Sequence, residues 1–405
     1  MSEQSTARSP KRPSVLISGA SIAGPTLAYW LHRYGFDVTV VERADGLRMG
    51  GQAIDVRGPG LEVAARMGVL DAVRARCTDL RGMSTVDDEG NELSRTTEYT
   101  ASGGQIDSPD IEILRDDLAR ILVDAGGSGI EYLFDDSIDV LEQDDREVRV
   151  VFRSGTARAF DLVVGADGVH STTRRLVFGP EEDHLHHLGG YLGVWSAPNH
   201  LGLDRWEVAY EIPGSGLLGA LVMTARDNKE ARVFIGIDSP EPPSRFLPGD
   251  VVEQKRLVAD AYAHARWEMP RLLKEMWNAT DFHLDSVAHI RMDSWSRGRV
   301  ALLGDAGYCA SPASGMGTTM AMAAAYVLAD ELRAAAGDHR GAFTAYERRM
   351  RPFVDTCQRI ALVSIAHRQR TQGRIADLDE QFARHLDTDF DEVVAELHTF
   401  RLEDR

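Results

Sequence analysis

The sequence contains little cysteine. Only Cys77, Cys309 and Cys357 occur in 405 residues, and they are widely spaced, odd in number and without a Cys-x-x-Cys pair. This scarcity gives no support to a disulfide framework or a zinc ribbon. Free thiols are typical of a reducing compartment, so we expect a cytoplasmic protein.

The sequence is also short of positive charge and of long apolar runs. Its 45 Lys and Arg residues face 63 Asp and Glu residues, which gives a net charge of -18. Nucleic acids and anionic membranes require clustered basic side chains, so we expect neither as a partner. No segment reaches the roughly 18 uninterrupted apolar residues of a membrane span. Residues 1–12 are polar, lack the apolar core of a signal peptide and are predicted to form a disordered tail.

One glycine turn is of the kind that holds dinucleotides. In VLISGASIAGPTLAYWLHRYGFDVTVVE, a short apolar strand precedes Gly19-x-Ser21-x-x-Gly24, a helical pattern and a β-branched strand ending at Glu42. Gly19 permits the sharp turn, Gly24 lets the helix pack on the strand, and the helix N-terminus offers N–H groups to a pyrophosphate. Ser21 replaces the usual middle glycine but is small, and Glu42 can accept hydrogen bonds from an adenosine ribose. The pattern favours dinucleotide binding over a plain α/β turn.

Two later strands end in a glycine and an aspartate. Asp167 follows one of them in GADGVHSTTR, and Asp305 follows the other in GDAGYCASPASGMG. An ordinary pyridine-nucleotide dehydrogenase, with its alternating βαβ units, does not explain this pair. No second glycine-rich phosphate turn follows a strand. A nicotinamide nucleotide would therefore bind transiently and would have no domain of its own.

These three segments, in this order and at these separations, resemble the group A flavoprotein monooxygenases. This family comprises the single-component aromatic hydroxylases of the para-hydroxybenzoate hydroxylase type, with polyketide-tailoring and tetracycline-inactivating members. The resemblance covers about residues 13–370. It implies an α/β fold in which a Rossmann-like FAD-binding domain with a parallel sheet adjoins a substrate domain with a mostly antiparallel sheet and a C-terminal helical segment. The chain departs from the commoner Gly-Gln-Gly-Leu-Asn form, since Thr318 and Thr319 follow its Gly-Met-Gly.

The resemblance implies that one FAD is held by distant parts of the chain. Asp305 would accept hydrogen bonds from the ribityl hydroxyls, Arg115 would reach the phosphate or ribityl region, and Asp167 would support FAD and a transient NADPH or NADH. A solvated helix face is the plainer alternative for Arg115, and a helix cap is the alternative for Asp167. The expected cofactor contacts are Gly19, Ser21, Gly24, Glu42, Arg43, Gln52, Arg115, Asp167, Gly304, Asp305, Gly315, Met316 and Gly317.

The same resemblance implies that no side chain is catalytic, because the flavin carries the chemistry. Pro312, Gly315 and Gly317 would lie beside the flavin ring, where a helix N-terminus favours the negative charge of the reduced ring. NAD(P)H would reduce FAD, and O2 would form a flavin C4a-hydroperoxide that passes one oxygen atom to an aromatic or polyketide-like small molecule. Turn geometry is the plainer alternative for the glycines, and helix capping is the alternative for Asp305.

The segment from about residue 186 to 240 has the pattern of short antiparallel strands with one apolar face. Such a sheet could cover the flavin and hold an aromatic guest, although each of its large side chains could instead belong to the core. The candidate substrate-lining residues are Trp195, Tyr210, Met223 and Phe234. His184, His186 and His187 have no cysteine or acid cluster beside them, so no metal site is predicted.

These interpretations define a domain organisation. Residues 13–80, 105–180 and 284–340 would form the FAD-binding domain, 81–104 and 181–283 the substrate-binding domain, and 341–405 C-terminal helices, with a kink at Pro352. The oligomeric state stays open between monomer and homodimer. The substrate, the position attacked and the type of reaction, whether hydroxylation, Baeyer–Villiger insertion or epoxidation, also stay open. The alternative functions are another flavoenzyme, such as a halogenase or a dehydrogenase, and a non-catalytic protein that binds flavin or ligand.

Overall fold

A computed structural model of the chain describes residues 12–48, 50–212, 218–246, 249–371 and 380–403. The predicted disordered tail, residues 1–12, lies outside the described residues except for Arg12.

The described chain mixes strands and helices as far as β20 and ends in helices. The strands are β1 Ser14–Ser18, β2 Asp37–Val41, β3 Ala53–Val56, β4 Met83–Val86, β5 Glu92–Thr96, β6 Tyr99–Thr100, β7 Gly104–Gln105, β8 Ile111–Leu114, β9 Glu131–Leu133, β10 Ile138–Gln143, β11 Val148–Phe152, β12 Ala157–Phe160, β13 Leu162–Gly165, β14 Leu185–Pro198, β15 Glu207–Glu211, β16 Leu218–Ala225, β17 Glu230–Asp238, β18 His283–Ile290, β19 Ser296–Arg297 and β20 Val300–Leu302. The helices are α1 Ala23–Arg33, α2 Pro59–Arg66, α3 Leu70–Arg74, α4 Arg115–Gly126, α5 Thr172–Phe178, α6 Pro243–Phe246, α7 Val251–Ala261, α8 Met269–Asn278, α9 Asp305–Tyr308, α10 Gly317–Ala334, α11 His339–Thr371, α12 Glu380–Ala383 and α13 Phe390–Leu397.

The first large sheet has the strand order β19-β20-β13-β1-β2-β9 and is parallel except for the edge strand β19. Its strands are short apolar runs because both faces of a parallel sheet are covered. In the register, Ser18 pairs with Gly165, and Gly165 pairs with Leu302. The carboxyl ends of β1, β13 and β20 therefore lie side by side at one edge of the sheet.

Helix α10 is buried at the centre of a group of helices. It packs against α1, α2 and α11, and every residue from Thr319 to Leu332 is buried. Alanine has the highest helix propensity and a small side chain, so the run AMAAAYVLA suits a helix that is surrounded by others. The helix starts at Gly317, directly after the loop that follows β20.

The second large sheet has the order β18-β14-β17-β16-β15-β4-β5. All its neighbours are antiparallel except β15 and β4. Apolar side chains of α7 and α8 join those of one sheet face in a single buried cluster. These two sheets and the C-terminal helices confirm the predicted fold class.

Several predicted boundaries differ from the structure. The predicted strand leading to Asp167 is two strands, β12 and β13, which belong to different sheets. They separate at Asp161, whose Oδ2 accepts hydrogen bonds from the backbone N–H and hydroxyl of Ser14. Strand β18 belongs to the second sheet, so a domain boundary between residues 283 and 284 would divide a strand.

The helical parts also differ from the prediction. Helices α7 and α8 were not predicted, although both are amphipathic. Helix α11 runs through Pro352 without a break, so the kink there stays a prediction, and two short helices, α12 and α13, follow it. None of the helices in the described ranges is long and apolar enough to cross a membrane.

Candidate functional site

Gly19 allows two neighbouring strands of the parallel sheet to end at the same point. Its φ is +109°, and a Cβ on it would lie 2.3 Å from the carbonyl oxygen of Ala166. Gly24 is equally constrained, because a Cβ there would lie 1.9 Å from the carbonyl oxygen of Gly19. Both glycines therefore bring backbones together as predicted from the motif, and the N-terminus of α1 meets the sheet edge.

A cleft opens beside this turn. It is lined by a set of residues from the turn, from the loop after β2 and from α4: Ala20, Ser21, Glu42, Gly46, Leu47, Arg48, Arg115 and Ala119. The Arg115 guanidinium donates a hydrogen bond to the Ser21 hydroxyl at 3.2 Å. Three predicted cofactor contacts, Ser21, Glu42 and Arg115, thus share one cleft, and Arg48 is an additional lining residue that was not predicted.

Arg115 is a half-buried cation whose neighbouring carboxylates, Asp116 and Glu42, offset its desolvation only in part. It forms no ion pair with any residue that the structure describes, and burial, followed by the neighbouring Arg48, lowers its pKa. Helix α1 has no side-chain cap at its N-terminus and no acid in its first turn, so its first N–H groups stay available. A phosphate group fits this combination of a guanidinium and a helix N-terminus.

Glu42 and its neighbours have different roles. The Glu42 carboxylate accepts hydrogen bonds from the backbone N–H groups of Ala20 at 2.9 Å and Ala44 at 3.0 Å, so it also shapes the turn. Arg43 is exposed and is not among the cleft residues. Gln52 contributes its backbone carbonyl to the N–H of Arg115 at 3.1 Å.

The Asp167 carboxylate is already well occupied by the protein. It accepts hydrogen bonds from the hydroxyls of Ser18, Ser171 and Thr173 and from the backbone N–H of Thr173. Asp167 therefore ties the first turn of α5, whose N-cap is Ser171, to β1, which is close to the capping role given above as the alternative for this side chain. It lies directly behind Gly19, since its Cα would be 3.2 Å from a Cβ there.

Asp305 lies at the same edge, one strand further along the sheet. Gly304 precedes it with a φ of +65°, and a Cβ on Gly304 would contact the side chain of Ala23 in α1. Burial raises the pKa of Asp305, and the Cys309 thiol opposes that effect. Because β13 alone separates β1 from β20, Gly19 and Asp305 are two strand spacings apart, roughly 10 Å. One dinucleotide can span that distance.

The loop between α9 and α10 is shaped by two glycines. Gly315 adopts a left-handed φ of +63°, and a Cβ on Gly317 would meet no described atom within 4 Å. Met316 points into the core, so only its backbone is available to a ligand. Pro312 is exposed at the start of a short 3-10 turn. There is open space at the start of α10, where a flat ring can approach the backbone.

Asp55 and Arg57 face this loop and were not predicted. A Cβ on Gly315 would lie 3.8 Å from Asp55 Oδ2 and from Arg57 Nη2. Asp55 is buried, and its Oδ1 has no hydrogen-bond partner among the described residues. The alternation of AIDVR places both side chains on one face of β3, and that period of two was the available sequence signal.

The residues present fit FAD at both ends. Arg115 and the α1 N-terminus suit the pyrophosphate, and Asp305 suits ribityl hydroxyls. The Oδ1 atom of Asp55 has no hydrogen-bond partner among the described residues, so it could accept a hydrogen bond from an N–H group of a bound flavin.

The second sheet divides the four candidate substrate residues between its faces. Met223 of β16 pairs with Arg232 of β17, and Phe234 follows Arg232 by two residues in β17. The side chains of Met223 and Phe234 therefore point to the same face of the sheet. Arg232 on that face donates a hydrogen bond to the Gly51 carbonyl at 3.1 Å. This face is therefore directed towards the candidate cofactor site.

Trp195 and Tyr210 lie on the other face. Both are fully buried in the cluster formed with α7 and α8. Their side chains are core packing and cannot contact a guest on the opposite face, so the interpretation of these two residues as substrate-lining is corrected. The apolar face of the sheet, which was expected to hold the guest, is the face that packs on α7 and α8.

Two carboxyl groups lie near each other, that of half-buried Glu112 in β8 and that of fully buried Glu207 in β15. Glu112 pairs across strands with Asp55, and Glu207 accepts a hydrogen bond from the backbone N–H of Ala101 at 2.7 Å. Each has one oxygen without a partner among the described residues. Burial raises the pKa of both carboxyl groups from 4.5 to about 7.

Comparison with known proteins agrees with this geometry. The family described as "FAD binding domain" matches residues 12–361. An uncharacterized protein of Mycobacterium tuberculosis (strain ATCC 25618 / H37Rv) is 49% identical over 345 residues, which is 85% of this chain and 91% of that protein. A flavin-dependent monooxygenase from an unknown prokaryotic organism is 40% identical over 349 residues, 86% of this chain and 88% of the relative.

Among solved structures, the tetracycline destructase Tet(51) has a similar fold. The TM-score is 0.85 at 35% sequence identity, and the match covers 98% of this chain and 100% of that chain.

Gly19→Ala tests the junction of β1 and β13. We expect it to lower the free energy of unfolding by ~3 kcal/mol or more, because the new methyl group overlaps the Ala166 carbonyl as well as straining φ. Gly35→Ala is the matched control, since Gly35 has a φ of +89° with no described atom within 4 Å. That control should cost about 1–2 kcal/mol from backbone strain alone. Urea denaturation measures both variants, and equal losses would contradict the overlap.

Glu207→Gln tests the buried carboxyl group by its pH dependence. A folded-state pKa above the unfolded one gives stability that is complete below pH 4.5 and is lost as the pH rises through about 7. The wild-type protein should therefore lose about 1–3 kcal/mol more of its unfolding free energy between pH 5 and pH 8 than Glu207→Gln. The exposed Glu182→Gln should keep the wild-type slope, and an unchanged slope in Glu207→Gln would refute the prediction.

Proposed function

This chain belongs to the family of FAD-binding, flavin-dependent monooxygenases, and we propose that it uses NAD(P)H and O2 to insert one oxygen atom into an aromatic or polyketide-like small molecule. The likeness to Tet(51) over nearly the whole chain carries the substrate class, because that protein is named for acting on tetracycline. Tetracycline is a flat, fused-ring phenol, so we infer a substrate of similar shape.

The proposed cofactor contacts follow the convergence at the sheet edge. Gly19, Gly24 and Ser21 would form the turn around the pyrophosphate, with Arg115 supplying the positive charge. Asp305 would bind the ribityl chain, and Glu42 the adenosine ribose. Asp167 would support the turn at Gly19 from its protein side, since its oxygens already accept hydrogen bonds from protein donors.

The proposed ring site lies between the α10 N-terminus and β3. Gly315 and Gly317 would leave room for the ring, Asp55 would accept its N–H hydrogen bond, and the helix N-terminus would favour negative charge on it. Bound FAD supplies the redox chemistry and the activation of O2. The protein would orient the ring and exclude water.

The proposed substrate face is the one that carries Met223 and Phe234. Both side chains are apolar, and Arg232 beside them anchors the Gly51 loop of the FAD-binding side. The substrate would therefore lie between the second sheet and the ring. We keep the proposed division into an FAD-binding domain, a substrate-binding domain and C-terminal helices, with the boundary between residues 283 and 284 moved to follow Ile290 so that β18 stays whole.

The experiment begins with the purified protein, which should be yellow or become yellow with FAD. NAD(P)H oxidation under O2 should then accelerate when tetracycline or a simple phenol is added, and mass spectrometry with labelled O2 should find one labelled oxygen atom in the product. A protein that binds FAD but oxidises NAD(P)H at the same rate with every phenol would overturn the proposed substrate class. Product without the label would overturn oxygen insertion.

Arg115→Met tests the pyrophosphate site. We expect at least a tenfold rise in the dissociation constant of FAD, about 1.4 kcal/mol or more, because a buried charge-assisted contact is lost. Arg33→Met is the matched control, since Arg33 is exposed in the last turn of α1 and lies outside the cleft, and it should leave the constant within about threefold. Quenching of FAD fluorescence measures both, and equal effects would remove Arg115 from the proposed site.

A further inference from the structure

Arg57 has a position that the roles given above do not explain. It follows β3, and its guanidinium lies beside Gly315, with Cζ 3.9 Å from a Cβ placed on that residue. Nη2 donates hydrogen bonds to Asp55 Oδ2 at 2.8 Å and to the Gly103 carbonyl at 3.3 Å. Asp55 and the Gly103 carbonyl therefore hold the Arg57 side chain beside the proposed ring site.

Two polar atoms of this pair remain unused. Arg57 Nε and Asp55 Oδ1 are both buried and have no hydrogen-bond partner among the described residues. Burying such groups without partners is unfavourable, so a ligand that satisfies both is expected. One is a donor and the other an acceptor, which is the complement of the adjacent C=O and N–H groups on the pyrimidine edge of a flavin.

Thr319 fixes the backbone that carries Arg57. Its buried hydroxyl accepts a hydrogen bond from the N–H of Arg57 at 2.9 Å and can donate to the carbonyl of the same residue at 3.2 Å. Thr319 is in the first turn of α10, two residues after Gly317. The departure of this chain from Gly-Gln-Gly-Leu-Asn thus coincides with a direct link between α10 and Arg57.

The geometry points to a further residue for the reaction. We propose that Arg57, positioned by Thr319 and paired with Asp55, contacts the pyrimidine edge of bound FAD and stabilises the negative charge gained there on reduction. This inference rests on the proposed function. A hydride from NAD(P)H transfers two electrons and one proton, so the nicotinamide is oxidised while the cofactor gains one net negative charge. A guanidinium beside that charge favours the reduced form.

The test measures the reduction potential of the holoenzyme by anaerobic equilibration with a reference dye. Arg57→Gln should lower the equilibrium constant for reduction at least tenfold, which is about 30 mV for two electrons. The reason is that the guanidinium no longer offsets the negative charge gained on reduction, and the Asp55 carboxylate beside it is left without its cation. Arg57→Lys keeps the charge and should stay within about threefold of the wild type. Asp55→Asn removes the negative charge and should shift the potential in the opposite direction.

The control is Arg158→Gln, since Arg158 forms a comparable pair with Glu131 on an exposed surface and should leave the potential unchanged. Wild-type protein without FAD would overturn the proposed function itself. Bound FAD with the same potential in Arg57→Gln and wild type would overturn only this inference. If Arg57→Gln fails to bind FAD, Asp55→Asn decides, and the absence of an upward shift there would also overturn the inference.

Discussion

The contact between Gly19 and the Ala166 carbonyl is the constraint on which the rest of the site depends. Strands β1 and β13 can end at one point only because residue 19 has no side chain and accepts a φ of +109°. This junction sets the N-terminus of α1 beside the sheet edge, and Gly304 then contacts that helix through Ala23. The carboxyl ends of parallel strands are the usual ligand position in such sheets. Here three of them are brought within reach of one dinucleotide.

The distribution of arginine partners separates structural from functional cations. Arg226 of the second sheet pairs with Asp116 and Asp117 at the start of α4, and buried Arg174 pairs with Glu181. Arg115, adjacent to Asp116, forms no ion pair with a described residue and is held only near Ser21. Because leaving a half-buried cation unpaired is unfavourable, this contrast supports the proposal that Arg115 binds an anion. The Arg226 pairs also join the second sheet to the helix that carries Arg115.

The second sheet illustrates the limit of reading a strand by its apolar residues. Trp195, Tyr210, Met223 and Phe234 are all large and apolar, but the first two pack on α7 and α8 while the other two face the FAD-binding side. The sequence of each strand specifies which side chains share a face. It does not specify which face the helices cover, and helices α7 and α8 were themselves not predicted.

The sequence alone determined the dinucleotide turn, the two Gly-Asp strand ends, the order of the three motifs and the fold class. These are local patterns, and each reflects a backbone requirement of residues close in the chain, such as the tight turn at Gly19 and the helix after Gly315. Only the tertiary structure decided which distant side chains meet. Arg57 and Gly315 are neighbours because β3 lies against the α10 N-terminus, and Glu112 of β8 lies near Glu207 of β15 although their strands belong to different sheets. Such contacts depend on packing between elements, and no local period or propensity encodes them.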